Sequence, residues 1–142
     1  MELYKGKYWE LVFYDNCQEF PGQCVFLNSK ESLSDLTNDE WIELGIIEKE
    51  LERVCKKVLG ATMFNFCCLM NNAYRDNETP YVHFQFVPRY RDETIILNKN
   101  YVDTHFGFNL WKWAITDDAQ KDIFTNEERL EIFNMIKKEF KL

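Results

Sequence analysis

Thr79 to Tyr90 reads TPYVHFQFVPRY. An extended chain sends alternate side chains to opposite faces. Val82, Phe84 and Phe86 then form one wholly apolar stripe. Tyr81, His83 and Gln85 form the other, and each carries a polar tip. An apolar stripe backed by a polar one predicts a strand with one face in a core and the other open, closed by Pro88. The chain has only two histidines, and one stands in the middle of that polar stripe.

Working outward from this strand, Thr62–Met70 (TMFNFCCLM) is mostly apolar and predicts a second strand. The intervening NNAYRDNETP is polar and rich in turn residues, so a loop is expected. Further back, YWELVFYD (Tyr8–Asp15) and CVFLN predict two strands, with the turn signal Pro21-Gly22 joining them as a hairpin. Thr37 followed by Glu40 has capping-box spacing, and Trp41, Leu44, Ile47, Leu51, Val54 and Val58 recur at helical intervals up to Gly60. Beyond Tyr90, Thr94–Leu97 predicts a short strand, and Lys99–Gln120 predicts irregular structure with room for a short helix. Thr125 and Glu128 repeat the capping-box spacing before a closing helix marked by Leu130, Phe133, Ile136 and Phe140. The order strand, strand, helix, strand, strand, helix predicts an α+β fold. Its antiparallel sheet has about five strands, with two main helices on one face, in a single domain over residues 1–142.

Bulk properties narrow the function classes. The chain has 142 residues with 46% hydrophobic content, enough for a substantial core. No apolar run approaches the ~18 residues of a membrane span. The opening MELYKGKYWE lacks the apolar run of a secretory signal. Net charge is −7, which argues against binding DNA or RNA polymers, whose backbones it repels. A single nucleotide remains compatible, because backbone N–H groups, amides and a histidine hold phosphate without net positive charge. Five cysteines with no Cys-x-x-Cys pair read as reduced thiols of a cytoplasmic protein rather than a disulfide framework or zinc site.

Several segments together resemble the histidine-triad family of nucleotide hydrolases and transferases. ESLSDLTNDEW with its helix is similar to the segment after that family's second strand. FNFCCLMNN is similar to the strand and asparagine-containing turn before its active site. VHFQFVPRY resembles its active-site strand, whose pattern is His-x-His-x-His, two apolar residues and often Pro-Arg. The likeness runs in order from about Tyr8 to Tyr90. Tyr81 stands at the first histidine, His83 at the central one and Gln85 at the third. Ser29 stands where a further histidine commonly precedes the ESLSDL segment.

The resemblance implies a HIT-like fold and a role for each matching residue. His83 is implied as the nucleophile that attacks the α-phosphorus of a nucleoside phosphoramidate or dinucleoside polyphosphate. A neutral imidazole suits this chemistry when its second nitrogen donates to a fixed acceptor, often a backbone carbonyl. Gln85 and Tyr81 would donate to phosphoryl oxygens, or Tyr81 would block them. Asp15 is implied at the ribose hydroxyls, Asn71 or Asn72 near the α-phosphate, and Asn77 and Thr79 as a looser match to a Gln-Ser/Thr pair. Glutamine at the third position is shared with the hexose-phosphate uridylyltransferases and the dinucleoside polyphosphate phosphorylases, which pass the nucleotidyl group to phosphate. The implied partner is a nucleotide or dinucleotide, in a homodimer, with no cofactor and no metal. The alternative is a degenerate member that binds nucleotide or a protein partner without turnover.

Elsewhere the simpler readings stand. Arg89 is expected as a solvated charge, His105 as structural, Trp111 and Trp113 as core or dimer contacts, and the acidic face of the first helix as solvated.

Overall fold

The computed structural model describes residues 1–107 and 122–142. The two stripes of the opening stretch become the two faces of a sheet. Strands β1 (Glu2–Lys5), β2 (Glu10–Phe13), β3 (Cys24–Leu27), β4 (Met63–Cys67) and β5 (His83–Arg89) form an antiparallel sheet of order β1-β2-β3-β5-β4. β6 (Thr94–Ile96) and β7 (Lys99–Tyr101) pair as a separate hairpin, turned at Leu97 and Asn98, both with positive φ. Helices α1 (Asn38–Leu59), α2 (Asn71–Asp76) and α3 (Asn126–Glu139) complete the described elements, with a single 3-10 turn at Leu33–Asp35. No helix among the described residues is long and apolar enough to cross a membrane.

Register decides which side chains share a face. Leu11 pairs with Phe26, Phe26 with Phe84, and Phe66 with Phe86, so these rings point to one side. There Phe66 stacks on Phe84 at 4.8 Å and Phe64 on Phe86 at 4.9 Å. Leu44, Ile47, Leu51 and Val54 of α1 are buried in the same core. Thr37 and Glu40 form the predicted capping box, and Gly60 ends α1 at φ 75°. α3 carries the second box, with Thr125 and Glu128, and docks Phe133 on Phe13.

Several expectations are corrected. β1 was not anticipated, because its charged residues suit an edge strand and hide its period. The Tyr8–Asp15 strand shortens to β2, and the Thr62–Met70 strand ends at Cys67. The polar 71–80 loop contains α2, whose Asn and Asp residues lie inside a six-residue helix closed by Asn77 at φ 55°. Pro88 lies inside β5 rather than closing it. The β3–β5 ladder stops at Phe86, so the missing N–H of Pro88 breaks no bond to β3. Lys99–Tyr101 is a strand and 102–107 are irregular, as expected, while residues 108–120, Trp111 and Trp113 included, lie outside the described residues. Trp41 is 42% exposed and Leu130 47%, and Ile132 takes the core position on α3.

The acidic face of α1 is only partly solvated. Glu40 is buried, and the Glu43 carboxylate accepts the N–H groups of Lys7, Tyr8 and Trp9 at 2.8, 2.7 and 3.0 Å.

Candidate functional site

Opposite the aromatic core the sheet presents a different face. Val25 pairs with Gln85, Leu27 with His83, and Cys67 with Gln85, so these side chains share it. β4 and β5 are neighbours, and their connection, with α2 in it, rises over this face. The result is a pocket of ≈ 390 Å³ whose lining includes Tyr14, Leu27, Met70, Asn72, Glu78, Pro80, Tyr81, His83 and Gln85. A second cavity of ≈ 350 Å³ adjoins it, lined by Tyr8, Glu10, Leu27, Asn28, Ser29 and Tyr81. Tyr81 and Leu27 wall both.

His83 opens β5 and is half-buried. Its Nδ1 lies 3.0 Å from the carbonyl oxygen of Tyr81. A carbonyl only accepts, so Nδ1 carries the hydrogen and Nε2 keeps its lone pair. The Cys68 thiol sits by the backbone N–H of His83. Burial pushes that thiol up, and the N–H partly offsets it.

Two positions along, the hydroxyl of Tyr14 donates to Gln85 Oε1 at 3.0 Å. The bond fixes which end of the amide is the oxygen, and the NH2 group is left without a partner on Tyr14 and turned to the other side. Tyr81 precedes the strand rather than lying in it. It is 51% exposed, with its ring 5.2 Å from that of His83 and tilted by 46°.

The structure thus brings His83, Gln85, Tyr81 and Asn72 together around one pocket. Asp15, Asn77 and Thr79 do not line it. Asn71 opens α2 and Asn77 caps it. Thr79 is exposed in the connection, where its neighbours Glu78 and Pro80 reach the pocket wall instead. Asp15 follows Tyr14 in a bend, and its 56%-exposed carboxylate lies 3.4 Å from the amine of Met1. Ser29 lines the second cavity.

Tyr14, Met70 and Glu78 were not singled out from the sequence. For Tyr14 a signal existed: Leu11 and Phe13 are buried, so alternation carries Tyr14 to the pocket side.

Arg89 corrects an expectation. It is buried, and its Nε donates to Asp103 Oδ2 at 2.6 Å rather than reaching solvent. His105 gives its backbone carbonyl to Arg89 and bonds Thr104 Oγ1 through Nδ1 at 2.8 Å. Among the described residues no group of three or more His, Cys, Asp or Glu side chains could hold a metal ion.

No protein-family model and no curated protein matches the sequence. Solved structures do match by shape. A histidine triad protein from Sinorhizobium meliloti superposes with a TM-score of 0.69 at 13% identity, over 98% of this chain and 88% of that one. A histidine triad protein from Marinobacter aquaeolei gives 0.68 at 13% identity, over 99% and 88%. The diadenosine triphosphate hydrolase of Plasmodium falciparum gives 0.59 at 16% identity, over 96% and 74%. The chain has the histidine-triad fold.

Proposed function

We propose that the pocket binds a nucleoside phosphate and that His83 attacks its α-phosphorus, making the protein a nucleotidyl hydrolase or transferase. One observation carries the reading: the Tyr81 carbonyl holds the hydrogen on Nδ1, which leaves a nucleophilic Nε2 on a side chain that lines the pocket beside the Gln85 amide. In the first step an Nε2–P bond forms and the bond from phosphorus to an amine or polyphosphate breaks, the leaving group taking up a proton from solvent. Charge grows on the phosphoryl oxygens, where the NH2 groups of Gln85 and Asn72 donate. In the second step water or phosphate attacks phosphorus, the P–N bond breaks, and His83 is restored. Asp15, one residue beyond Tyr14, is assigned to the ribose hydroxyls. The diadenosine triphosphate hydrolase among the structural neighbours supports this reaction class.

The test is intact-protein mass spectrometry after incubation with an adenosine phosphoramidate and with diadenosine tetraphosphate, wild type beside His83→Ala. A nucleotidyl adduct or released AMP that vanishes in the variant is expected. Folded wild-type protein that gives neither, yet binds AMP by calorimetry, would instead establish a nucleotide binder without turnover. That second reading is favoured by the Tyr81 ring lying 5.2 Å from His83, where the family has a histidine. A homodimer formed by joining sheets is proposed alongside, and sedimentation equilibrium tests it.

A further inference from the structure

The amide of Gln85 is not free to choose which end it presents. Its neighbours on the pocket face are Val25 across one ladder and Cys67 across the other. The hydrogen bond that fixes it comes from farther away, from Tyr14 just beyond the end of β2. β2 and β5 are separated by β3, a gap of about 10 Å at ordinary strand spacing. Only two long side chains meeting over β3 can close it.

Tyr14 is itself held. Its carbonyl accepts from Gln18 Nε2 at 2.7 Å, and its N–H donates to the carbonyl of Gln23 at 3.2 Å. Gln18 is fully buried. Its Nε2 also reaches the carbonyl of Gln23 at 3.0 Å, and its Oε1 accepts from the N–H groups of Gly22 and Gln23 at 2.7 and 3.2 Å. Asp122 Oδ2 takes the backbone N–H of Gln18 at 2.6 Å and is itself bound by Arg129 of α3 at 2.7 Å. A continuous run of hydrogen bonds therefore leads from α3 to the Gln85 amide.

We propose that Tyr14 is a positioning and specificity residue: by holding Gln85 Oε1 it fixes the orientation of the amide and leaves its NH2 group as the end presented to a ligand, so the pocket favours ligands that place a phosphoryl oxygen there. The inference rests on the nucleotide reading of the pocket and deepens it. A ligand that offers a donor at that point would have to share Oε1 with the Tyr14 hydroxyl, or turn the amide over and break the Tyr14 bond. The amide itself does not titrate, so the Gln85 NH2 group donates whatever the charge state of the phosphate.

Calorimetric titration of AMP and of adenosine, which lacks the phosphate, separates positioning from mere packing. The proteins are wild type, Tyr14→Phe, Gln85→Ala and the double variant, each shown by its melting temperature to be folded. Tyr14→Phe keeps the ring and removes only the donor. It is expected to weaken AMP about three- to tenfold, the range for one neutral hydrogen bond, and to leave adenosine unchanged. In the Gln85→Ala background the same substitution should add nothing, because its effect acts through the amide.

Equal loss of AMP and adenosine would make Tyr14 a wall and overturn the proposal. So would unchanged AMP affinity, or losses that simply add in the double variant. In each of those cases tight AMP binding by the wild type leaves the nucleotide reading standing. Wild-type protein that binds neither ligand would overturn both.

Discussion

Arg89 Nε lies 2.6 Å from Asp103 Oδ2 and Arg89 Nη2 3.0 Å from Asp103 Oδ1, with side-chain exposures of 1% and 0%. Arg89 also donates to Asn65 Oδ1 and to the carbonyl of His105, and Asp103 also accepts the N–H of Tyr90. The pair ties the end of β5 to residues 103–105. Removing one partner strands a buried charge, which costs about 3–5 kcal/mol, whereas removing both is often much cheaper. Arg89→Met is therefore expected to lower stability by that amount in urea unfolding, and Arg89→Met with Asp103→Leu to recover most of it. An Arg89→Met protein that unfolds at the wild-type midpoint would refute this account.

Glu43 makes a comparable demand on a polar scale. Its two oxygens serve three backbone N–H groups in the turn between β1 and β2. Glu43→Ala leaves those donors without their acceptor and is expected to cost about 1–3 kcal/mol. Glu43→Gln keeps one oxygen and should fall between. Equal stability of Glu43→Ala and Glu43→Gln would show that packing, not hydrogen bonding, is what the side chain contributes.

Burial, then the hydrogen bond and charge of Glu52, push Glu48 up to about 7 from an ordinary value of 4.5. Between those values the folded protein holds a proton that the unfolded chain has released. The associated stability is complete below the lower value and is lost as pH rises through the upper one. Glu48→Gln abolishes the titration. Wild type is therefore expected to lose more melting temperature than Glu48→Gln between pH 5 and pH 8. Parallel profiles from calorimetric scans would place the pH dependence elsewhere.

The two capping boxes differ in what surrounds them. Glu40 is buried and also meets Asn28, while Glu128 faces Lys99 nearer solvent. Thr37→Ala and Thr125→Ala should each cost about 1 kcal/mol and add in the double variant, since they cap separate helices. Denaturant titrations of the four proteins give the comparison. A strongly non-additive result would mean that α1 and α3 do not fold their ends independently.

Glutamine at position 85 makes a prediction about the acceptor. Where a His83 adduct of AMP forms, added inorganic phosphate is expected to divert product from AMP to ADP, read by ion-exchange chromatography. AMP as sole product at saturating phosphate would assign water as the acceptor.

Much of this was legible in the residues. Alternation in Val82–Phe86 gave the two faces of β5, and Thr37, Glu40 and Gly60 gave both ends of α1, because these signals are local. His83 and Gln85 could be placed for the same reason. The Tyr14–Gln85 and Arg89–Asp103 partnerships could not, since each joins residues far apart in sequence that only strand order brings together. Nor did the polarity of NNAYRD separate a turn from one helical turn, which use the same residue types. Leu130 misled because one apolar residue out of phase is indistinguishable, in sequence, from one in phase with a different face.

The helix α2 stands between two left-handed non-glycine residues, Met70 and Asn77, and lies wholly within the connection from β4 to β5. Those strands are hydrogen-bonded neighbours whose register is set by five aligned pairs. Residues 71–80 can therefore lengthen, shorten or change composition without shifting a single rung of that ladder, while Val82 is held in the core by backbone bonds to Asn28 and Lys30. His83 and Gln85 are anchored in the sheet, while Asn72, Glu78 and Pro80 of the pocket wall are hung on the connection between two of its strands. The width of the pocket and the placement of His83 are thus written on separate parts of the chain. Grafting connections of other lengths between Cys68 and Val82 is a direct way to resize the pocket while leaving His83 where it stands.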